Sequence, residues 1–564
     1  MSGLIKNNWH LIVYLFLSIF SIIPLLSPGF FPMHDDTQVA RVFEMAKSLS
    51  HGMFPVRWVE DLGYGAGYPI FNFYSVLPYY IGGMLTLIGI NALDSTKIIV
   101  MLTLIASGIS MFFLVKEFFG KLAGLVSATI YLYFPYHALN IYVRGDLAEA
   151  TAYVLTPLVF LGLFKIHFAK SLKISMVLSA LSIAAVIISH NLSAFMLFIF
   201  VFLFIIFSTV FGKNKVRLLM SYVLILVLAF LLSAFYSLPA ILEMKYANVL
   251  SIIGGGSAYR DHFVCLEQLW DSPWGFGGSA PGCLDGMSFK LGKLNIILAF
   301  LAFMLFIANV KKIKERLFIV SFSFLSFALS IFMTLEFSLP FWSLPFMDFL
   351  QFPWRFLNFA GLFISVISGY LIWQVKELFG NKICSMLVLA VLFLTLLFNA
   401  RLFFPLTIHD RDSSFYTNSK YLKWTVSKVS DEYLPKNFTK PSQDVDLRES
   451  SFDIVHGGGE IEVLSNKTQD NRARINLLRD GTVRANIAYF PSWKIYVGEQ
   501  ESSYVIKGDG LYVDLPSGKH LLTAKFVQTP IEKVSNALSI IGLLGIIIVI
   551  IRKSGYLFYG KKTS

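Results

Sequence analysis

Long apolar runs separated by short polar segments dominate the chain, and their lengths set its reading. A run of about 17–22 apolar residues is what crosses a bilayer core as a helix. Runs of that size begin at about 9–27 and recur at about 98–115, 122–139 and 151–164. A hairpin of two follows, with its tip near His190 and Asn191, and a seventh run ends near Tyr236. Later runs lead to Lys311, out of Arg316, to Lys376 and to Phe404, and a last one covers about 535–551. The pattern predicts an α-helical polytopic membrane protein of about twelve spans.

One run, 73–90, is ambiguous because it contains Pro78, Gly82 and Gly83. If it is a juxtamembrane or re-entrant helix, every basic cluster falls on one side: Lys6, Lys116 with Lys121, Lys165 with Lys170, Lys213 with Lys215, Lys311 with Lys312 and Lys314, Lys376 with Lys382, and the tail from Arg552. If it spans, the later clusters fall on the opposite side. The first reading satisfies the positive-inside bias and places both termini in the cytoplasm. The opening run has no small-residue cleavage site and reads as a retained anchor.

Residues 406–532 differ. RINLLRDGTVRANIAYF and GLYVDLPSGKHLLTAKFV alternate polar and apolar positions across DG and SGK turns, the period of antiparallel strands. The expected organisation is a transmembrane domain over 1–405 with a polar loop at 28–97, a small β-sandwich-like extracytoplasmic domain at 406–532, and a last helix with a basic tail at 533–564.

Composition agrees. The chain is 56% hydrophobic and only 15% charged, and the net charge of +12 sits in short loops between apolar runs, which marks topology rather than nucleic-acid binding. Three cysteines are too few for a disulfide framework or a cysteine metal site. Cys265 and Cys283 share one outer loop and can pair on an oxidising side, while Cys384 reads as core.

The polar outliers then gather on the face opposite the lysines. His34, Asp35, Asp36, Arg41, Glu44, Arg57, Asp61, Arg144, Asp146, Glu149, Glu243, Lys245, Arg260, Asp261 and Arg355 all lie in loops of that side. Ionised groups beside lipid are costly unless they serve a polar site. Carboxylates can take a proton from a hydroxyl or hold a divalent metal, and arginines bind phosphate bidentately.

Several stretches resemble a known family: HDD after the first span, HGMFPVRWVEDLGYGAGYPIFNFYSVLPYY, YVRGDLAEA, ISHNLSA and LQFPWRFL. They are similar to bacterial membrane proteins labelled 6-pyruvoyl-tetrahydropterin synthase-related. The label misleads, because such a synthase is a small soluble enzyme with a three-histidine zinc site that nothing here matches. The layout resembles the GT-C superfamily of membrane glycosyltransferases. That resemblance implies a polyprenyl-phosphate sugar donor (hexosyl or pentosyl), an extracytoplasmic glycan, lipid or protein acceptor, and a place in the bacterial plasma membrane. Carried over by residue, Asp35 or Asp36 is the general base, and Asp146 and Glu149 are the second acids. Arg144, Arg260 and Arg355 meet the donor phosphate. His34, Arg57 and His190 complete the candidate substrate contacts. A divalent metal stays open as a cofactor, with Asp36, Asp146 and Glu149 as its candidate ligands.

Plainer roles compete. Asp35 and Asp36 suit a solvated helix cap, and Asp146 with Glu149 suits the first turn of the fourth span. Arg144 and Arg355 suit interfacial anchors, and His190 a satisfied bundle histidine. A second class of function, a transporter or an assembly scaffold for surface polysaccharide or lipid, predicts polar residues deep within the spans, which are mostly clean here.

Overall fold

The computed structural model describes residues 2–313 and 316–551; Lys314 and the basic tail from Arg552 lie outside the described residues, as does the side chain of Lys6. Nine helices among the described residues are long and apolar enough to cross a membrane. Two more, Lys121–Leu132 and Lys293–Asn309, are apolar but shorter. The longest helical stretch bends at Gly380, whose φ is +78°. In hydrocarbon, backbone polar groups must be satisfied within the segment, which is why runs this apolar are helical.

Phenylalanine, of which the chain has 55, supplies ring contacts between these helices. Phe164, Phe204 and Phe322 belong to three different helices and stack edge to face at 5.2 and 5.1 Å. The last helix, Pro530–Ile551, lies along Lys215–Leu242. A Cβ on Gly542 would meet the Leu232 nitrogen at 2.7 Å, so glycine sets that close approach.

The ambiguous run folds as Leu77–Leu87, eleven residues and about 16 Å at helical rise, too short to cross. It packs on Gln38–Ser50, the helix that follows the first polar loop. Lys97 on Ala92–Phe119 donates to the Ser27 carbonyl at 2.8 Å and pins the start of that loop.

Among the described residues, β1 (Phe452–His456), β2 (Gly459–Lys467), β3 (Asp470–Leu477), β4 (Gly481–Ala485), β5 (Trp493–Val497), β6 (Gln500–Ser502), β7 (Val505–Lys507), β8 (Gly510–Leu515) and β9 (Gly518–Phe526) form two antiparallel sheets, ordered β1-β4-β8-β7 and β2-β3-β9-β5-β6. The alternation in the sequence becomes alternating burial: on β3, Asp470–Leu477, the side chains of Asn471, Ala473, Ile475 and Leu477 are buried. Strands begin only at Phe452. Residues 406–451, expected to be β-rich, hold short helical turns instead, such as Ser413–Thr417 and Tyr421–Val426. They are fixed by tertiary contact: Phe30 and His409 exchange backbone bonds of 2.9 and 2.8 Å, and the Tyr421 hydroxyl donates to the Asp36 carbonyl at 3.3 Å.

Candidate active site around Asp35 and Arg144

The site forms where the first polar loop runs beside the end of a π-helical turn, Asn140–Arg144. The His34 N–H donates to Val143 O and the Asp35 N–H to Arg144 O, both at 3.0 Å. Gly145 follows in the left-handed region, and a Cβ there would sit 2.2 Å from Met33 Sδ. Glycine therefore both turns the chain and lets the two loops touch. The Gln38 amide closes the contact by donating to Gly145 O at 2.8 Å.

Asp146 caps the helix Leu147–His167 by accepting from the Glu149 N–H at 2.9 Å. The capping role and the cluster role thus coexist. Arg144 joins the two acids: Nη2 donates to Asp146 Oδ2 at 3.0 Å and Nη1 to Glu149 Oε2 at 2.8 Å. Glu149 Oε1 accepts from the Tyr136 hydroxyl at 2.7 Å and from the Asn358 amide at 2.8 Å. The Arg144 guanidinium lies 4.6 Å over the Trp354 ring. His190 caps the helix Asn191–Phe211, and its Nε2 stands 3.9 Å from Asp146 Oδ2. All of these groups are buried except Asp35, which is partly exposed, and His34, which is exposed.

Arg355 precedes the helix Leu357–Asn399, in the turn Pro353–Phe356. It is only 7% exposed, and its Nε and Nη1 have no hydrogen-bond partner. Arg41, on Gln38–Ser50, is 4% exposed; it lies 4.2 Å over Tyr74 and likewise leaves Nε and Nη1 without a partner. Buried guanidinium N–H groups without acceptors are rare, and they leave donors free for an incoming acceptor.

Electrostatics separates the adjacent aspartates. Burial and the nearby Asp146 raise Asp35 above the usual carboxylate range, against the pull of Arg41, Arg144 and Arg355. Burial also raises Asp36, to about 6, but its charged neighbours are Arg411 and His409. Asp35 faces the cluster, whereas Asp36 faces the 406–451 segment. Burial would raise Asp146 too, yet His190, Arg144 and Arg355 together hold it below the usual range. His190 is lowered by burial.

Two of the sequence candidates stand elsewhere. Arg57 is buried in a separate network with Asn72, Asn536 and Glu532. Arg260 is exposed, 5.8 Å over Tyr259. His34 is exposed, and its Nε2 is 3.1 Å from Phe276 O, within the loop closed by the Cys265–Cys283 disulfide. Cys384 is buried and free. Sequence reasoning grouped Arg41 with the outer-loop polar residues but gave it no role, and it missed Asn358 and Tyr136.

The candidate metal ligands also regroup. Asp36 is apart, while Asp146, Glu149 and His190 bring ligand atoms within 4.8 Å of one another. These residues do not fit a divalent ion as arranged. All four carboxylate oxygens are engaged, and the cation between them is Arg144. His190 Nδ1 lies 2.8 Å from Ser193 Oγ and 3.3 Å from the Ser193 nitrogen, and its Nε2 is turned toward Asp146.

Residues 71–251 match a family model described as 6-pyruvoyl-tetrahydropterin synthase related domain, membrane protein. YVRGDLAEA and ISHNLSA lie inside that match; HDD and LQFPWRFL lie outside it. No curated protein matches the chain. Among solved structures it is similar to arabinofuranosyltransferase AftD from Mycobacteria, at 13% identity and a TM-score of 0.46, over 72% of this chain and 27% of that one. It is also similar to the Archaeoglobus fulgidus oligosaccharyltransferase, at 12% identity and a TM-score of 0.45, over 80% and 62%. The chain spans less than two thirds of either.

Proposed function

We propose that this membrane protein is an inverting glycosyltransferase of GT-C type, drawing its sugar from a polyprenyl-phosphate donor. The observation that carries the reading is a partly exposed carboxylate, Asp35, within electrostatic reach of Arg355, whose buried guanidinium has N–H groups without a partner. Asp35 takes the proton of an acceptor hydroxyl as that oxygen bonds to the anomeric carbon. The bond from that carbon to the phosphate oxygen breaks, and the phosphate leaves with the electron pair onto Arg355 and Arg41. Asp146 and Glu149 hold Arg144 in place. The lysine pattern of the loops puts this chemistry on the side away from the cytoplasm of a bacterial plasma membrane.

The test is the lipid-linked sugar pool of a strain lacking the chain. One polyprenyl-phosphate sugar accumulates and returns to normal on complementation by the wild type but not by Asp35→Asn. An unchanged pool overturns the reading.

Two further results are expected. Arg355→Ala weakens use of the donor by about tenfold to a hundredfold, the worth of a charge-assisted bond, and Arg355→Lys restores only part because it lacks the planar fork. Donor titrations measure both. Because Arg144 already occupies the space between Asp146 and Glu149, EDTA leaves the transfer rate unchanged. A loss restored by Mn²⁺ would show that Arg144 leaves its two carboxylates to admit a metal.

A further inference from the structure

A second polar cavity, of about 90 Å³, lies between the loop after Gln38–Ser50 and the ends of the strands. Trp58, Glu60 and Asp61 form one wall, and Ser451, Asn471 and Trp493 lie on the other. None of these belongs to the Asp35 cluster. The walls are tied together. His51 Nδ1 and Thr468 Oγ1 are 2.9 Å apart, the Ala488 N–H donates to Ala66 O at 2.9 Å, and the Trp58 and Trp493 rings meet edge to face at 5.4 Å.

Three polar atoms of this lining are buried without a hydrogen-bond partner: Trp493 Nε1, Asn471 Oδ1 and Glu60 Oε2. Trp493 is fully buried and Asn471 only 8% exposed. Native structures rarely strand such atoms, so one donor and two acceptors among the residues that line one cavity call for a partner that both donates and accepts. The charges in the lining cancel: Lys47, Lys423 and Arg448 stand against Glu60, Asp61 and Glu449. Lys47 is within 2.6 and 2.5 Å of Glu60 and Asp61, and Lys423 within 3.7 Å of Glu449. A balanced lining favours neither phosphate nor a metal ion. A water needs about 10–15 Å³ of such space, so the cavity takes roughly six to nine waters, about the bulk of one pyranose ring.

We infer that this cavity binds a neutral saccharide unit, and that the acceptor is a glycan held here at a residue remote from the reacting hydroxyl. The second half of that inference rests on the transferase reading. The helix Gln38–Ser50 has Asp35 just before its start and Lys47 near its end, about 14 Å of helix from Gln38 to Lys47, so one oligosaccharide can touch both sites.

The experiment is saturation-transfer NMR on the full chain in detergent, using maltotetraose, mannotetraose and arabinotetraose as probes and sialyllactose as the anionic control. At least one neutral probe receives saturation. Its affinity falls by about tenfold or more in Asn471→Leu and in Trp493→Phe. Trp493→Phe removes the Nε1 donor, replacing the buried indole by a smaller ring that still faces Trp58, so it decides the matter if Asn471→Leu does not fold. Saturation of no neutral probe, of sialyllactose alone, or equally in wild type and Trp493→Phe overturns the inference. Binding that depends on Trp493 together with an unchanged lipid-linked sugar pool keeps the saccharide site and removes the transferase reading; transfer without such binding does the reverse.

Discussion

Asp35→Asn lowers the transfer rate at saturating substrate by about 10²–10⁴, the usual contribution of a positioned general base, while Asp36→Asn retains most of it. The two residues are neighbours in sequence, but their surroundings differ. Asp35 is flanked by the cluster that contains Arg144, Asp146 and Arg355, and Asp36 by Arg411 and His409. The pH dependence follows from the same surroundings. A base works only when ionised, so the rate rises with pH as Asp35 loses its proton. Because burial and Asp146 raise Asp35, that acid limb lies above the ordinary carboxylate value of about 3.9. The stability consequence has the opposite sign. A carboxyl group whose folded pKa is raised carries a charge that the fold disfavours, and this cost appears as pH rises past the unfolded value. Asp35→Asn removes the charge and keeps the backbone bond to Arg144 O, so its unfolding temperature at neutral pH is equal to or above the wild type's. Full transfer by Asp35→Asn, with loss in Asp36→Asn, would move the base to the neighbouring residue.

The parts of this site that were legible in the sequence are those written in local spacing. Asp146 and Glu149, three apart, announce a helix start, and the structure makes Asp146 its cap. Acidic residues in a polar loop after an apolar run stand out because the surrounding chain is so apolar. The strands from RINLLRDG onward were legible because alternation and a DG turn are local signals. The segment 406–451 was not, since its short turns have no periodicity of their own and are held by contacts with the first loop. Arg41 and Arg57 make the same point. In sequence both are polar-loop arginines, but Arg41 leaves Nε and Nη1 unpartnered beside the cluster, whereas Arg57 spends both Nη groups on Asn72, Phe235 and Asn536 and has only its Nε unbonded, 3.7 Å from Glu532. Only the fold brings residues 57, 235 and 536 together.

That placement of Arg57 yields the largest expected effect on stability. Its Nη1 donates to Asn72 Oδ1 at 2.8 Å, its Nη2 to Phe235 O at 2.9 Å and Asn536 Oδ1 at 3.1 Å, and its Nε is 3.7 Å from Glu532 Oε1. Asn72 in turn donates to Glu243 at 3.2 Å and Glu532 at 3.3 Å, and Thr529 bonds to both acids. Arg57, Glu243 and Glu532 are all essentially buried. The network ties the first polar loop to the end of Lys215–Leu242 and the start of Pro530–Ile551, the two helices that pack along each other. Arg57→Met leaves two carboxylates without their cation and costs about 3–5 kcal/mol, the penalty for breaking a buried ion pair from one side. Replacing the acids as well, in Arg57→Met with Glu243→Gln and Glu532→Gln, recovers most of that loss, because no charge is then stranded. Denaturant unfolding in detergent measures both variants. If Arg57→Met unfolds like the wild type and loses only transfer, Arg57 is a substrate ligand after all, and the separation of this network from the Asp35 cluster has no functional meaning.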